Sequence, residues 1–328
     1  MQSPSRLAVV IPVFNESKVL PELLRRLNAV FDALPSLRCE AVFIDDGSRD
    51  DTAALLAVAA RQDPRLRLVQ LSRNFGHQPA LTAGLAHVGH ADAVITMDAD
   101  LQDPPELIPE LVAAWGKGAE VVLAVRRSRE DTGLRRLGFD AFHRLFGRLT
   151  DFPIESNTGT FGLLGKNAVA AFNQLPEKHR FFPGLRTWLG FTRAEVIYDR
   201  QERAAGQPGQ TLRRLVRYAL DGLFSFSHLP LRLLTYAGLV TAGLGFAVGL
   251  YFVIKRIIGI EVAFTGFTTL VSVVLFLGGV QLIGIGVLGE YLGRIYDEVK
   301  RRPLYLLKNP APAILSEAAP PSASGPGL

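Results

Sequence analysis

The sequence predicts an α/β domain with a mostly parallel sheet, followed by two helices that cross a membrane as a hairpin. Three observations predict this. In residues 1 to about 205, short apolar segments alternate with segments of helical character. Polar strings directly follow four of the apolar segments. Two long stretches without a charged residue, Leu233–Ile254 and Phe267–Gly289, come later in this chain of 328 residues.

Five apolar segments are predicted strands, and four segments between them are predicted helices. The strands are Leu7–Val13, Ala41–Ile44, Leu66–Leu71, Ala93–Met97 and Glu120–Val125; the helices are Lys18–Ala33, Asp51–Arg61, Gln78–His87 and Pro105–Lys117. Strands that alternate with helices favour a parallel sheet covered on both faces. Ligands of such sheets bind beyond the carboxyl ends of the strands, where the polar strings lie.

The most informative polar string is DADLQD, residues 98–103, at the end of the fourth predicted strand. Asp98 and Asp100 are separated by one residue, so both side chains are predicted to point out from the sheet edge. Carboxylates are the ligands that Mg²⁺ or Mn²⁺ prefers when it also binds substrate phosphates. The alternative is a solvated acidic turn that caps the next helix. Asp103 is the predicted cap, with Pro104 at the first helical position.

The uncharged stretches correspond to helices of about 33 and 34 Å, long enough to cross a hydrocarbon core of about 30 Å. The alternative is a buried hairpin in a soluble core. Gly245 and Gly249 have the GxxxG spacing that permits close helix packing, including packing in a homo-oligomer. The connecting loop carries Lys255 and Arg256, but basic residues are more numerous outside the hairpin: Arg213, Arg214, Arg217, Arg232, Arg294, Lys300, Arg301, Arg302 and Lys308. By the positive-inside rule, both termini are predicted to be cytoplasmic, at the inner membrane.

These patterns divide the chain into five parts. The domains are a catalytic domain at 1–210, a basic amphipathic helix on the membrane surface at 211–230, two membrane helices within 231–290, a basic cytoplasmic segment at 291–308 and a disordered tail at 309–328. Leu7–Phe14 is predicted to be the first strand rather than a signal peptide, because it is short and lacks a cleavage site. The single cysteine, Cys39, excludes an internal disulfide and indicates a reducing compartment.

The net charge of +5 does not indicate nucleic-acid binding, because the basic residues are not interleaved with aromatic ones. The strings VVIPVFNE, FIDDGS, SRNFG and DADLQDPPEL, in this order and followed by two membrane spans, resemble the polyprenyl-phosphate glycosyltransferases of glycosyltransferase family 2. The resemblance covers residues 1 to about 308. It implies a GT-A catalytic domain, a UDP- or GDP-linked sugar donor, Mg²⁺ or Mn²⁺, and a polyprenyl phosphate acceptor in the membrane.

The resemblance also assigns roles to individual residues. The implied donor-binding residues are Pro12, Val13, Asn15, Glu16, Asp45, Asp46, Arg73, Asn74 and Asp98; the implied metal ligands are Asp98, Asp100 and Gln102. Arg126 and Arg203 match catalytic arginines that face phosphate, and Arg200 resembles a second late arginine. Arg135, Arg136 and Thr160 are further candidates for contact with the acceptor phosphate. For each arginine, a surface ion pair is the alternative.

The chain departs from the family pattern in two loops. Gly159-Thr160-Phe161-Gly162-Leu163 stands where many members have Gly-Asp-Phe-Arg-Leu, so the carboxylate sometimes assigned as a general base is absent. Gly209-Gln210 replaces the usual Lys-Tyr. His77 either contacts a ligand or simply begins a helix.

The predicted reaction is inverting transfer of a sugar to polyprenyl phosphate. Two alternatives remain open: transfer to a glycolipid or polysaccharide, and a catalytically silent membrane subunit that binds nucleotide sugar. The sequence leaves the sugar, the base and the lipid length undetermined.

Overall fold

A seven-stranded sheet forms the N-terminal domain within the residues that the computed structural model describes, which are 5–127, 158–178, 180–199, 229–258 and 267–309. The strands are β1 (Arg6–Val13), β2 (Arg38–Asp45), β3 (Leu66–Gln70), β4 (Ala93–Thr96), β5 (Val121–Arg126), β6 (Thr158–Gly165) and β7 (Arg193–Tyr198). Their order in the sheet is β3-β2-β1-β4-β6-β5-β7. Because β1 lies between β2 and β4, the ends of three predicted strands meet at one edge.

Most of the strand pairs are parallel, as the alternating pattern predicts. β1 is parallel to β2 and β4, β2 to β3, and β5 to β7; β6 alone is antiparallel to its neighbours β4 and β5. The predicted fold class is confirmed. β6 and β7 are additions to the predicted set. β6 contains three glycines, at 159, 162 and 165, which weaken its strand signal, and β7 lies at the edge of the sheet.

The helices of the domain are α1 (Leu20–Asp32), α2 (Thr52–Gln62), α3 (His77–His87), α4 (Ile108–Gly116), α5 (Lys166–Gln174) and α6 (Phe182–Trp188). The helix predicted over Pro105–Lys117 is divided into a 3₁₀ turn at Pro105–Leu107 and α4. The other three predicted helices begin and end within two residues of their predicted bounds.

The sheet is covered on both faces. Side chains alternate along β1, so Val9 and Ile11 pack with α1 and α4 on one face, whereas Ala8 and Val10 pack with α3 and α5 on the other. All four residues are fully buried. A strand buried on both faces accounts for the continuous apolar run that predicted it.

Two long helices follow the domain: α7 (Leu229–Ile257) and α8 (Phe267–Val299). Within them, Leu233–Tyr251 and Phe276–Val299 are long and apolar enough to cross a membrane. A Cβ built on Gly284 of α8 would lie 3.1 Å from the side chain of Leu234, near the start of α7. The two helices therefore pack against each other at this point. Their outward faces carry exposed apolar side chains, as lipid contact requires.

α8 extends beyond the predicted end at Gly289. Its 33 residues span about 50 Å, so the helix is longer than a hydrocarbon core of about 30 Å.

No atom lies within 4 Å of a Cβ built at Gly245 or Gly249 among the described residues, so the GxxxG pair does not join α7 to α8. The homo-oligomer stays a prediction. Outside the described ranges lie the predicted surface helix at 211–230, except its last two residues, and the tail from 310.

The packing of α3 on the sheet predicts the effect of a single methyl group. A Cβ at Gly84 in α3 would lie 2.2 Å from Val10 Cγ1 in the fully buried β1, so Gly84→Ala forces the helix and strand apart. Overpacking of this kind typically costs about 1–3 kcal/mol. The melting temperature in detergent is expected to fall by about 2–10 °C. Gly89→Ala is the control, because that position is open; equal melting of both variants would contradict the close packing.

Candidate functional site

An open cleft of about 260 Å³ lies at the carboxyl edge of the sheet, beside the start of α3. Seven of the predicted donor or metal residues line it: Pro12, Val13, Glu16, Asp46, Asn74, Asp98 and Asp100. They come from the ends of β1, β2 and β4 and from the loop that follows β3. The parallel order of these strands thus gathers residues that are far apart in sequence.

The turn after β4 presents the two carboxylates. Leu101 has a φ of 59°, a left-handed conformation that is unusual for leucine and costs about 1–2 kcal/mol. Its side chain is buried, which holds the turn in place. The Asp100 carboxylate accepts a hydrogen bond of 3.1 Å from the Gln102 backbone N–H, so the predicted metal contact Gln102 also shapes the turn.

Asp98 is the meeting point of three elements. His77 at the start of α3 places Nε2 2.9 Å from Asp98 Oδ1, and the Thr160 hydroxyl of β6 donates to the same oxygen at 2.9 Å. Neither bond involves Oδ2. His77 is a site residue that the sequence left open between two interpretations. Thr160, predicted to contact the acceptor phosphate, here orients a predicted metal ligand.

His77 and Asp98 each stabilise the charged form of the other. Burial raises the pKa of Asp98, but His77, Thr160 and Arg126 outweigh it and hold that pKa below its usual value. Burial likewise opposes the charged His77 ring, whereas Asp98 and the carboxylates of Asp46 and Asp100 raise its pKa above the usual value. Asp98 therefore stays ionised, as a ligand for a cation must be.

β6 is held so that Thr160 faces Asp98. The Thr96 hydroxyl of β4 donates to the Thr160 carbonyl. From the other side, the guanidinium of Arg186 donates to the carbonyls of Gly159 and Phe161 at 3.3 and 3.4 Å. Arg186 is 1% exposed and lies over the Phe182 ring. A buried arginine in α6 thus fixes the backbone on both sides of Thr160.

Asp46 binds the loop that follows β3. Its buried carboxylate accepts hydrogen bonds from the backbone N–H groups of Phe75 and Gly76, at 2.7 and 2.9 Å. Burial raises the pKa of Asp46, and the two amides oppose that shift. Gly47 has a φ of +72°, and a Cβ there would lie 2.6 Å from the Arg73 carbonyl carbon. The Asp-Gly pair therefore lets the loop approach closely.

Two predicted donor residues, Asp45 and Asn15, shape the neighbouring loop. The buried Asp45 accepts a hydrogen bond of 3.0 Å from the Ser48 backbone N–H. Asn15, with a left-handed φ of 57°, accepts from the Arg49 N–H at 2.9 Å. Arg73 donates to the Asn74 carbonyl and lies 4.1 Å above the Phe75 ring.

Asp103, Tyr198 and Arg126 form a polar cluster next to the site, and the position of Asp103 differs from the predicted one. The N-cap position of the 3₁₀ turn is Pro104 rather than Asp103, and Asp103 is fully buried, accepts a hydrogen bond from the Tyr198 hydroxyl and lies 3.8 Å from the Arg126 guanidinium. Arg126 Nε donates to the Tyr198 oxygen at 3.2 Å, and Gly159 leaves room for its guanidinium. Tyr198 had no sequence signal, since it lies 95 residues from Asp103.

The carboxylate ligands in the cleft suit a divalent cation whose remaining coordination positions are filled by phosphate oxygens. Asp98 and Asp100 supply two carboxylates at one turn, which is sufficient for Mg²⁺ or Mn²⁺ when phosphate oxygens complete the shell. Among the described residues, no group of three or more His, Cys, Asp or Glu forms a site made of protein ligands alone. Four predicted arginines, Arg135, Arg136, Arg200 and Arg203, lie outside the described residues.

Two family models match the chain. Residues 8–170 match "Glycosyl transferase family 2", and residues 229–295 match "GtrB C-terminal hairpin". The boundary between the two matches agrees with the division between the sheet and the two long helices.

Several curated proteins are similar over nearly their whole length. The uncharacterized glycosyltransferase sll0501 of Synechocystis is 44% identical over 305 residues, covering 92% of this chain and 95% of that protein. The prophage bactoprenol glucosyl transferase homolog of Escherichia coli is 41% identical, covering 92% and 98%. The SfII prophage-derived bactoprenol glucosyl transferase of Shigella flexneri is 43% identical, covering 92% and 97%.

Two solved structures are among those to which the chain is similar. The mannosyltransferase PcManGT of Pyrobaculum calidifontis, in complex with GDP-Man and Mn²⁺, covers 92% of this chain and 86% of that chain, with 16% identity and a TM-score of 0.47. Glucosyl-3-phosphoglycerate synthase of Mycobacterium tuberculosis covers 67% and 78%, with 22% identity and a TM-score of 0.45.

The bond from Thr160 to Asp98 predicts a change in metal affinity. Thr160→Val removes the hydroxyl that orients the carboxylate and is expected to weaken Mn²⁺ binding roughly 10- to 100-fold. Thr160→Ser keeps the hydroxyl and is expected to bind Mn²⁺ like the wild type. Electron paramagnetic resonance of free Mn²⁺, titrated with purified protein, measures both. Equal affinities in the two variants would contradict the orienting role.

The buried cluster predicts a stability change. Tyr198→Phe removes a hydroxyl that donates to the fully buried Asp103 carboxylate and is expected to destabilise the domain by about 1–3 kcal/mol. Thermal melting measures the loss. Tyr296→Phe serves as the control, because that exposed ring packs under the Lys300 ammonium and keeps this contact as phenylalanine. A Tyr198→Phe variant as stable as this control would refute the support that we assign to the cluster.

Proposed function

The chain belongs to glycosyltransferase family 2, among relatives named bactoprenol glucosyl transferase, and we propose from this premise that it transfers a sugar from a UDP- or GDP-linked donor to polyprenyl phosphate. The product is a polyprenyl-phospho-sugar whose anomeric configuration is inverted. The observation that carries the proposal is the similarity of 41–43% over 97–98% of those relatives, which extends through the hairpin as well as the catalytic domain.

The cleft supports a division of roles among its residues. Pro12, Val13 and Glu16 form the wall at the end of β1 that would contact the nucleotide, together with Asn74 in the loop bound by Asp46. Asp98 and Asp100 would hold Mg²⁺ or Mn²⁺. When bound, the metal supplies positive charge that neutralises the donor diphosphate and stabilises it as a leaving group.

The reaction is a direct displacement. An oxygen of the acceptor phosphate attacks the anomeric carbon of the sugar, and the bond to the donor diphosphate breaks, so the nucleoside diphosphate leaves with the bonding electron pair. One displacement inverts the configuration. Because the acceptor phosphate is already an anion, no general base has to remove a proton, which agrees with Thr160 at the position where the resembled family pattern has a carboxylate.

Arginine side chains supply positive charge for the phosphate groups, which the carboxylates of the cleft cannot do. The pKa of Arg126 is raised, because Asp103 and Tyr198 outweigh the effect of burial, so its guanidinium stays charged beneath the cleft. Guanidinium binds phosphate oxygens in a forked geometry. We assign Arg203 to the donor diphosphate, as the family resemblance implies, and Arg135, Arg136 and Arg200 to the acceptor phosphate.

We propose that the hairpin holds the cleft near the lipid. Two apolar helices indicate membrane association, and the basic residues that flank them support an orientation with both termini in the cytoplasm, at the inner membrane. The polyprenyl chain of the acceptor would then lie in the bilayer, with its phosphate at the cytoplasmic surface.

A donor screen tests the function. The full chain in detergent is incubated with undecaprenyl phosphate, Mn²⁺ or Mg²⁺, and radiolabelled UDP- and GDP-sugars, and lipid-linked label is extracted. The proposal expects labelled lipid from one donor and its loss with EDTA. Nucleotide release without labelled lipid would indicate another acceptor, and binding without any turnover would indicate a silent subunit; either result would refute the proposed reaction.

The assignment of Asp100 as a metal ligand predicts the effect of replacing its carboxylate by an uncharged amide. Asp100→Asn keeps the shape of the side chain but removes its charge, and is expected to lower the rate of transfer roughly 100-fold or more. Glu110→Gln, on the exposed face of α4, removes one charge elsewhere and is expected to leave the rate unchanged. Initial rates at saturating Mn²⁺ compare the two. Substantial activity in Asp100→Asn would remove Asp100 from the metal site.

A further inference from the structure

The chain returns from the membrane helices to the catalytic sheet. After α8 ends at Val299, residues 302–308, here called the strap, run beside β3. Leu307 faces Leu71 in an antiparallel bridge. The Ser72 N–H donates to the Leu306 carbonyl at 2.8 Å, and the Lys308 N–H donates to the Gln70 carbonyl at 2.9 Å. The end of the strap therefore pairs with the chain where the edge strand β3 ends.

The side chains of the strap join the core beneath that edge. Tyr305 and Leu307 pack against the cluster that contains Leu71, Val69 and Phe75. Leu71 is 1% exposed. Phe75 belongs to the loop after β3, so this loop and the strap pack against the same apolar cluster.

The end of α8 is fastened to the domain close to the strap. The carboxylate of Glu298 accepts a hydrogen bond of 2.7 Å from the Lys178 backbone N–H, and the Lys178 ammonium donates to the carbonyl of Asp297. These contacts lie 120 and 119 residues apart in sequence. They leave only a few residues between a fixed helix end and the strap.

The loop at residues 72–76 lies between two restraints. Asp46 binds the N–H groups of Phe75 and Gly76 from the cleft side, and the strap binds Ser72 from the other side. Asn74 and Gly76 line the cleft. We infer that the strap positions this loop for the nucleotide, so that donor binding depends on the chain segment that follows the membrane hairpin.

This inference rests on the proposed function for the identity of the ligand. The match to the hairpin model ends at residue 295, before the strap begins, and the sequence predicted only a basic segment there. A loop that is already ordered loses less conformational freedom when a ligand binds. The strap would therefore act on donor affinity and leave acceptor affinity unchanged.

One backbone hydrogen bond provides the test. Lys308→Pro has no N–H and loses the bond to Gln70, whereas the control Lys308→Ala keeps it and loses the same side chain. In the full chain, hydrogen–deuterium exchange without nucleotide is expected to be about 3- to 10-fold faster at residues 72–76 in Lys308→Pro than in Lys308→Ala. The Kd for UDP or GDP with Mn²⁺, measured by calorimetry, is expected to rise by a similar factor, with the KM for undecaprenyl phosphate unchanged.

The exchange experiment tests whether the strap positions the loop independently of catalysis, because it needs neither donor nor acceptor. Faster exchange confined to the loop supports the inference, even if the donor screen finds no sugar transfer. Equal exchange at 72–76 in the two variants would overturn it. Exchange that also accelerates across β5 at 121–126 would overturn it too, since the strap would then stabilise the domain as a whole rather than position the loop.

Discussion

The hydrogen bonds that converge on the Asp98 carboxylate are the constraint on which the site depends. One partner, His77, is 21 residues away and begins a helix, and the other, Thr160, is 62 residues away in an antiparallel strand. Both can reach the same oxygen only if β4 and β6 pair in the observed register and α3 packs tightly on β1. The orientation of a predicted metal ligand is thus set by sheet pairing and helix packing together.

Two acidic residues after β2 act on the backbone: Asp46 binds two amides of the loop after β3, and Asp45 binds the Ser48 amide. Asp103, in the same string as Asp98, instead lies buried against the Tyr198 hydroxyl. Buried carboxylates that accept such bonds hold their surroundings firmly, because losing a partner would leave a charge or polar group unsatisfied. The loops around the cleft are therefore preorganised, which reduces what ligand binding must order.

The sequence predicted the features that depend on local composition. The first five strands are apolar runs and were found with approximately correct bounds, and the hairpin was found as a pair of uncharged stretches, although α8 ends ten residues beyond its predicted end. β6 was not, because its glycines resemble a loop; they are needed where Arg126 and Arg186 approach the backbone. Asp103 was assigned as a cap because that role is local, whereas its actual partner Tyr198 comes from β7. The strap gave no signal, since pairing with β3 depends on where α8 ends.

We propose above all that the turn carrying Asp98 and Asp100 holds a divalent metal that faces the donor diphosphate. A structure of the full chain with Mn²⁺ and UDP or GDP, with anomalous scattering collected at the manganese edge, tests it most directly. The account predicts a manganese peak between the carboxylates of Asp98 and Asp100, with the nucleotide against the wall at Pro12–Glu16 and the loop at 72–76. A manganese peak elsewhere, or a nucleotide bound without metal at these carboxylates, would contradict it.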